Sequence, residues 1–238
     1  MDTIFLITIL VVIFALAFDF INGFHDTANA IATSVSTRAL KPRVAVLMAA
    51  IMNFVGALTF VGVAKAIASN IVDPMSLNAF EGDVTGSVVI LAALCSAITW
   101  NLLTWYYGIP SSSSHTLIGS LAGAAIGAAG FGILNYGGFS SILAALIISP
   151  ILALTVGFIV MSLFKVFFRN LGLYKTNSRF RLVQILTAAV QSFTHGTNDA
   201  QKAMGIITMA LIASGLQTGD EVQGWVRIAC ATAMGLGT

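Results

Sequence analysis

Two carboxylates carry the chemistry that this sequence suggests. Asp26 lies in Phe20-Ile21-Asn22-Gly23-Phe24-His25-Asp26-Thr27-Ala28-Asn29, and Asp199 lies in Phe193-Thr194-His195-Gly196-Thr197-Asn198-Asp199-Ala200-Gln201-Lys202. Each stands well inside an apolar run. A carboxylate at membrane depth is costly, so it is expected to line a cavity and to hold a cation or a proton. The two segments align without gaps at an offset of 173, which pairs Phe20 with Phe193, Gly23 with Gly196, His25 with Asn198, and Asp26 with Asp199. Asn29 and Lys202 follow each aspartate by three residues and share its helix face. Asn29 can donate to an anion or ligate an ion through its amide oxygen. Lys202 can neutralise Asp199 or sit near an anionic substrate. His25 and His195 read as hydrogen-bonded bundle histidines more readily than as metal ligands.

A second constellation is Gly108-Ile109-Pro110-Ser111-Ser112-Ser113-Ser114-His115-Thr116. Proline ends the incoming helix, and the serines start the next with hydroxyls and free backbone N–H groups. Such an N-terminus, with its positive dipole end, suits an anion. A Ser–His hydrolase is a weaker reading, because the pair shares one turn and no GxSxG elbow is present. Gly119, Gly123 and Gly127 fall on one helix face, which predicts close helix packing.

The elements that position these groups follow from composition. Only 8% of the 238 residues are charged and 58% are apolar, where a soluble domain carries about 25% charged residues. Mean hydropathy is +0.95. A soluble enzyme, a disordered chain and a disulfide scaffold are excluded, and no run of like charge points to nucleic acid. Cys95 and Cys230 sit inside apolar segments and suggest neither a disulfide nor a metal site. Met1-Asp2-Thr3 lacks the positive start of a signal peptide, so the first apolar run is expected to be retained. Spans are expected within 4–36, 44–70, 84–107, 139–164 and 181–213, with a shorter apolar stretch over 114–130 and a last span from about 224.

The loops with Arg38, Lys41 and Arg43, and with Lys165, Arg169, Lys175, Arg179 and Arg181, are basic; those at 71–83 and 214–223 are acidic. Basic loops face the cytoplasm, which puts the N-terminus outside. The segments 4–36 and 181–213 are each about 50 Å as unbroken helices, against a hydrocarbon core of about 30 Å. A Gly-containing interruption in each is therefore expected to break it. Their opposed directions make an inverted-topology repeat, the mark of a secondary transporter. The fold class is an all-α polytopic membrane protein with broken helices and a re-entrant helical hairpin. It forms one transport domain over 1–238, with repeat 1 over about 1–165 and repeat 2 starting at about 181–238.

At these motifs the sequence resembles the inorganic phosphate transporters of the PiT type. Gly23-Phe24-His25-Asp26-Thr27-Ala28-Asn29-Ala30 is similar to the family's Gly-x-Asn-Asp-x-Ala-Asn signature, His195 to Lys202 to its partner copy, and Pro110 to His115 to its first hairpin tip. The resemblance implies phosphate symport driven by Na+ or H+. It implies phosphate held by Ser111, Ser112, Ser113, Ser114, Thr116, Thr27, Asn29, Asn198 and Lys202. Coupling cations would sit beside Asp26, Asp199, Asn29 and Asn198; bound Na+ is a candidate accessory group and a homodimer a candidate assembly, with the oligomeric state left open. His25 replaces the signature asparagine, and Gln201-Lys202 replace Ala-Asn, so the second copy lacks the asparagine on which a cation site would be built. A second hairpin tip would fall at about 283, beyond Thr238, so the chain is expected to be an N-terminal fragment. Transport of sulfate or another oxyanion, and an accessory subunit without transport, are the other readings.

Overall fold

The computed structural model describes residues 3–64, 85–170 and 172–238. The expected acidic loop at 71–83 and the end of the 44–70 span lie outside them. The described residues form helices α1 (Thr3–Ser36), α2 (Pro42–Ala57), α3 (Thr85–Tyr107), α4 (Ser113–Ala129), α5 (Tyr136–Phe168), α6 (Leu173–Ala213) and α7 (Gly224–Gly237), with a 3₁₀ turn at Phe131–Ile133. No strand occurs among them, as the composition implies. Thr3–Ser36, Gly86–Tyr107 and Tyr136–Phe168 are long and apolar enough to cross a membrane.

The expected interruptions in α1 and α6 do not occur. Both helices run unbroken through their polar segments, 34 residues in α1 and 41 in α6. With both helices continuous, no backbone carbonyl is freed at these segments by a break. The glycines have a different task. A Cβ on Gly23 would stand 2.6 Å from the Met234 carbonyl oxygen of α7, and one on Gly237 would overlap the Phe20 carbonyl of α1. In the same way a Cβ on Gly196 would overlap Asn53 of α2, and one on Gly56 would overlap the Phe193 carbonyl of α6. Small residues thus let backbones touch at two crossings, α1 on α7 and α6 on α2.

The glycine row of α4 is the reverse case. Nothing lies within 4 Å of a Cβ at Gly119, Gly123 or Gly127. Gly119 and Gly123 instead border an open groove of about 770 Å³ between α3 and α4. The expected tight packing at that row is not found, because α4 meets the core through Leu117, Leu121 and Ala125 on its other face.

Between α3 and α4 the chain turns sharply. Gly108, with φ of 64°, takes the left-handed conformation. The Gly108 N–H donates to the Trp105 carbonyl (3.1 Å) and the Ile109 N–H to the Thr104 carbonyl (2.8 Å). This is the Schellman closure, so glycine ends α3 and Pro110 only prevents its resumption. The core joins Phe18 of α1, Leu94 of α3, Leu121 of α4, Met204 of α6 and Met234 of α7. Helix α5 has no buried residue, and its apolar surface is what lipid would solvate.

Replacing Gly196 by Ala should sharply lower the melting temperature in detergent, since the methyl group must displace backbone. Gly123→Ala should leave the melting temperature unchanged or raise it, with a gain in stability of about 1 kcal/mol at most.

Candidate functional site

The turn after α3 delivers the start of α4 onto both polar helices. A cavity of about 330 Å³ is lined by Asp26, Asn29 and Ala30 of α1, by Ser111 to Ser114, and by Gln191, His195, Asp199 and Lys202 of α6. Ser113 is the hub. Its Oγ donates to Asp26 Oδ2 (3.0 Å), lies 3.4 Å from Asp199 Oδ2, and accepts from Lys202 Nζ (2.7 Å). Lys202 also pairs with Asp199 at 2.8 Å. Both Lys202 and Ser113 are buried, so this cluster works in a low dielectric where charges act strongly.

The helix start is arranged for an anion. Ser112 caps it, its Oγ accepting from the His115 backbone N–H. The backbone N–H groups of Ser113 and Ser114 donate to no acceptor among the described residues, and the helix dipole adds positive potential there.

Facing it is a cluster of groups that could ligate a cation. One ligand atom each from Asp26, His195 and Asp199 lies within 4.8 Å of the others. Asn53 of α2 fixes the histidine tautomer. The Thr238 hydroxyl donates to the Met234 carbonyl (3.0 Å), so its oxygen accepts from Asn53 Nδ2 (2.8 Å). Asn53 Oδ1 is then the acceptor for His195 Nδ1–H (3.0 Å). In the neutral ring Nε2 is a lone pair; it is buried without a hydrogen-bond partner and 3.4 Å from Asp199 Oδ2. Two electron-rich atoms so close need positive charge between or upon them.

The sequence-derived residues divide as follows. Asp26, Asn29, Asp199, Lys202 and Ser111 to Ser114 meet at the cavity. Thr27 does not reach it, because one residue beyond Asp26 the helix has turned by about 100°; its hydroxyl accepts from Asn53 (3.0 Å). Asn198, one residue before Asp199, is exposed on the outer side for the same reason. Thr116 lies toward the groove on the far side of the tip, 3.5 Å from Ser111 Oγ. His25 bonds Asp26 Oδ1 (3.0 Å) and lies outside the potential ligand set, whereas His195, read from the sequence as a bundle histidine, lies within it. Gln201 accepts from the backbone N–H groups of Val63 and Ala64, which spends its amide oxygen on structure. Sequence reasoning missed Gln191 and the positioning roles of Asn22 and Asn53. The signal for Asn53 was its being the one amide in the apolar stretch 44–57.

The family model described as "Phosphate transporter family" matches residues 22–174 and 169–238. A Bacillus subtilis protein named probable low-affinity inorganic phosphate transporter is 66% identical over 100% of this chain and 70% of its own length. A Mycobacterium leprae protein of the same name is 45% identical over 97% of the chain and 54% of its own length. Thus the chain spans 54–70% of the length of these two relatives. A solved structure titled "The sodium-dependent phosphate transporter" shares the fold, with a TM-score of 0.77 over 97% of this chain and 74% of that one, at 22% identity.

Lys202→Met should destabilise the protein by about 3 kcal/mol, since it leaves the partly buried carboxylates without their cation. Adding Asp199→Asn should recover most of that loss in a thermal melt; no recovery would mean that Lys202 acts through packing.

Proposed function

Because the chain belongs to the phosphate transporter family, we propose that it carries inorganic phosphate across the membrane by symport with Na+ or H+. It is a multi-pass membrane transporter and not an enzyme, which disposes of the Ser–His hydrolase reading. The observation that carries the proposal is the cavity where the α4 start faces Asp26, Asp199 and Lys202. Phosphate would accept from the Ser113 and Ser114 N–H groups, from serine hydroxyls, and from Asn29, Gln191 and Lys202.

Charge explains why an ion must travel with it. Two aspartates against one lysine leave the site with a net charge of −1 while His195 is neutral. An anion 4 Å from an uncompensated charge is repelled by about 4 kcal/mol at an effective dielectric of 20. That is roughly a thousand-fold in affinity. A cation or proton among Asp26, His195 and Asp199 removes the repulsion, so phosphate binds well only to the ion-loaded site. Thr27 and Asn198 would act outside the first contact layer, as would Thr116.

The two glycine crossings support reading the domain as an inverted repeat, with repeat 1 over about 1–165 and repeat 2 from about 181. Met234 and Gly237 serve α1 as Asn53 and Gly56 serve α6, an offset of 181 in both pairs. Each polar helix therefore packs on the second helix of the other copy. The basic loops support an outside N-terminus.

Asp26→Asn and Asp199→Asn should each abolish coupled uptake while the protein still inserts. Ser112 and Ser113 changed together to Ala should raise the apparent KM for phosphate by about 10- to 100-fold, from one or two charge-assisted hydrogen bonds at about 1.5–3 kcal/mol each. Both are read from labelled phosphate uptake into proteoliposomes under imposed Na+ or pH gradients. Near wild-type uptake in both aspartate variants would refute the ion-site assignment.

A further inference from the structure

Asp19 has no task in that mechanism. It is fully buried on α1, two turns before Asp26, and neither carboxylate oxygen has a hydrogen-bond partner. Asn22, three residues on, is also fully buried. Its Nδ2 donates to Asp199 Oδ2 (2.9 Å), while its Oδ1 is unpartnered. Three acceptor oxygens without a geometric hydrogen bond thus sit on one helix face, and the weak S–H donor of Cys230 is the donor that faces the carboxylate. A bare carboxylate in such surroundings costs several kcal/mol.

Either a metal cation or a proton would satisfy these oxygens. A metal cation needs room and a shell of several oxygens. Neither Asp19 nor Asn22 lines the 330 Å³ cavity, and Phe18, Ala15, Leu94 and Met234 fill the surrounding core. A proton needs no room. It turns Asp19 into a donor, and Asn22 Oδ1 is an acceptor without one, in i,i+3 register.

The groups facing Asp19 are few. From α7 comes the Cys230 thiol, and from α6 come the charges of Asp199 and Lys202. Helix α3 contributes apolar Ile90 and Leu94 to the same core, its Cys95 being exposed. Arg43 of α2 is exposed.

We infer that Asp19 is a proton-binding site of the transport cycle, read by the ion site through Asn22; this rests on the phosphate symport proposed above. The proton enters with phosphate from the side to which the cavity opens, and leaves on the other side after phosphate has gone. Protonated, Asp19 donates to Asn22 Oδ1 and holds the Asn22 amide against Asp199. Deprotonated, Asp19 repels that oxygen and loosens the amide. No covalent bond other than the O–H changes.

The test reconstitutes the protein into liposomes that contain a pH-sensitive dye and follows labelled phosphate and internal pH together. In the wild type, phosphate entry under an inward proton gradient should be accompanied by internal acidification. Asp19→Asn should retain phosphate-for-phosphate exchange and lose the coupled acidification, and Asp19→Glu should keep both. Wild-type protein that moves no phosphate under any gradient would remove the phosphate reading and this inference with it. Wild-type phosphate entry without proton movement, or Asp19→Asn moving protons at the wild-type rate, would overturn the Asp19 site alone. Should Asp19→Asn fail to fold, infrared spectra decide. The wild type should show a protonated-carboxyl stretch at neutral pH that Asp19→Glu shifts; no such band, or an unshifted one, overturns the site.

Discussion

The structure depends on holding two carboxylates from different helices at one serine hydroxyl, away from bulk water. Left bare, Asp26 and Asp199 would drive α1 and α6 apart. Lys202 compensates one of them, and Ser113 supplies a donor that either can use. On the proposed symport, the remaining charge deficit would make the site responsive, stable enough to form and completed by a cation or proton. A fully neutralised cluster would be more stable but would have nothing to couple.

Everything else serves that meeting point. The glycine crossings bring α1 onto α7 and α6 onto α2 at backbone distance, which fixes how far the aspartates can stand apart. The Schellman turn at Gly108 ends α3 one short loop before the cavity, so the α4 dipole is aimed there. Asn53, reaching across from α2, ties His195 of one motif helix to Thr27 of the other through a single amide. Orientation of the ring is therefore a property of three helices together.

Much of this was legible from residue types. Carboxylates in apolar runs, repeated at a fixed offset beside glycine, mark a central site because membrane burial makes them costly. The serine turn read correctly as a helix start for the same kind of reason. Helix continuity did not, since Gly and polar residues weaken a helix in water, while in a bundle the alternative is unpaired backbone. Thr27 and Asn198 were misplaced because motif membership says nothing about angular position, and one residue is about 100° of helix. The α4 glycines show the same limit: a row of small residues permits a close neighbour and cannot supply one. Asp19 was visible in the sequence, but its isolation only shows once the surrounding core is assembled.

The backbone-to-backbone crossings also bear on how such a chain can drift. At Gly23, Gly56, Gly196 and Gly237 the contact is made by main-chain atoms, so no change in a neighbouring side chain can open space for a larger residue. Compensatory pairs, the usual route by which cores vary, are closed at these four places. Variation must accumulate elsewhere, on the lipid-facing length of α5 and along the open row of α4. The interior geometry can stay fixed while the outer surface adapts to a different bilayer.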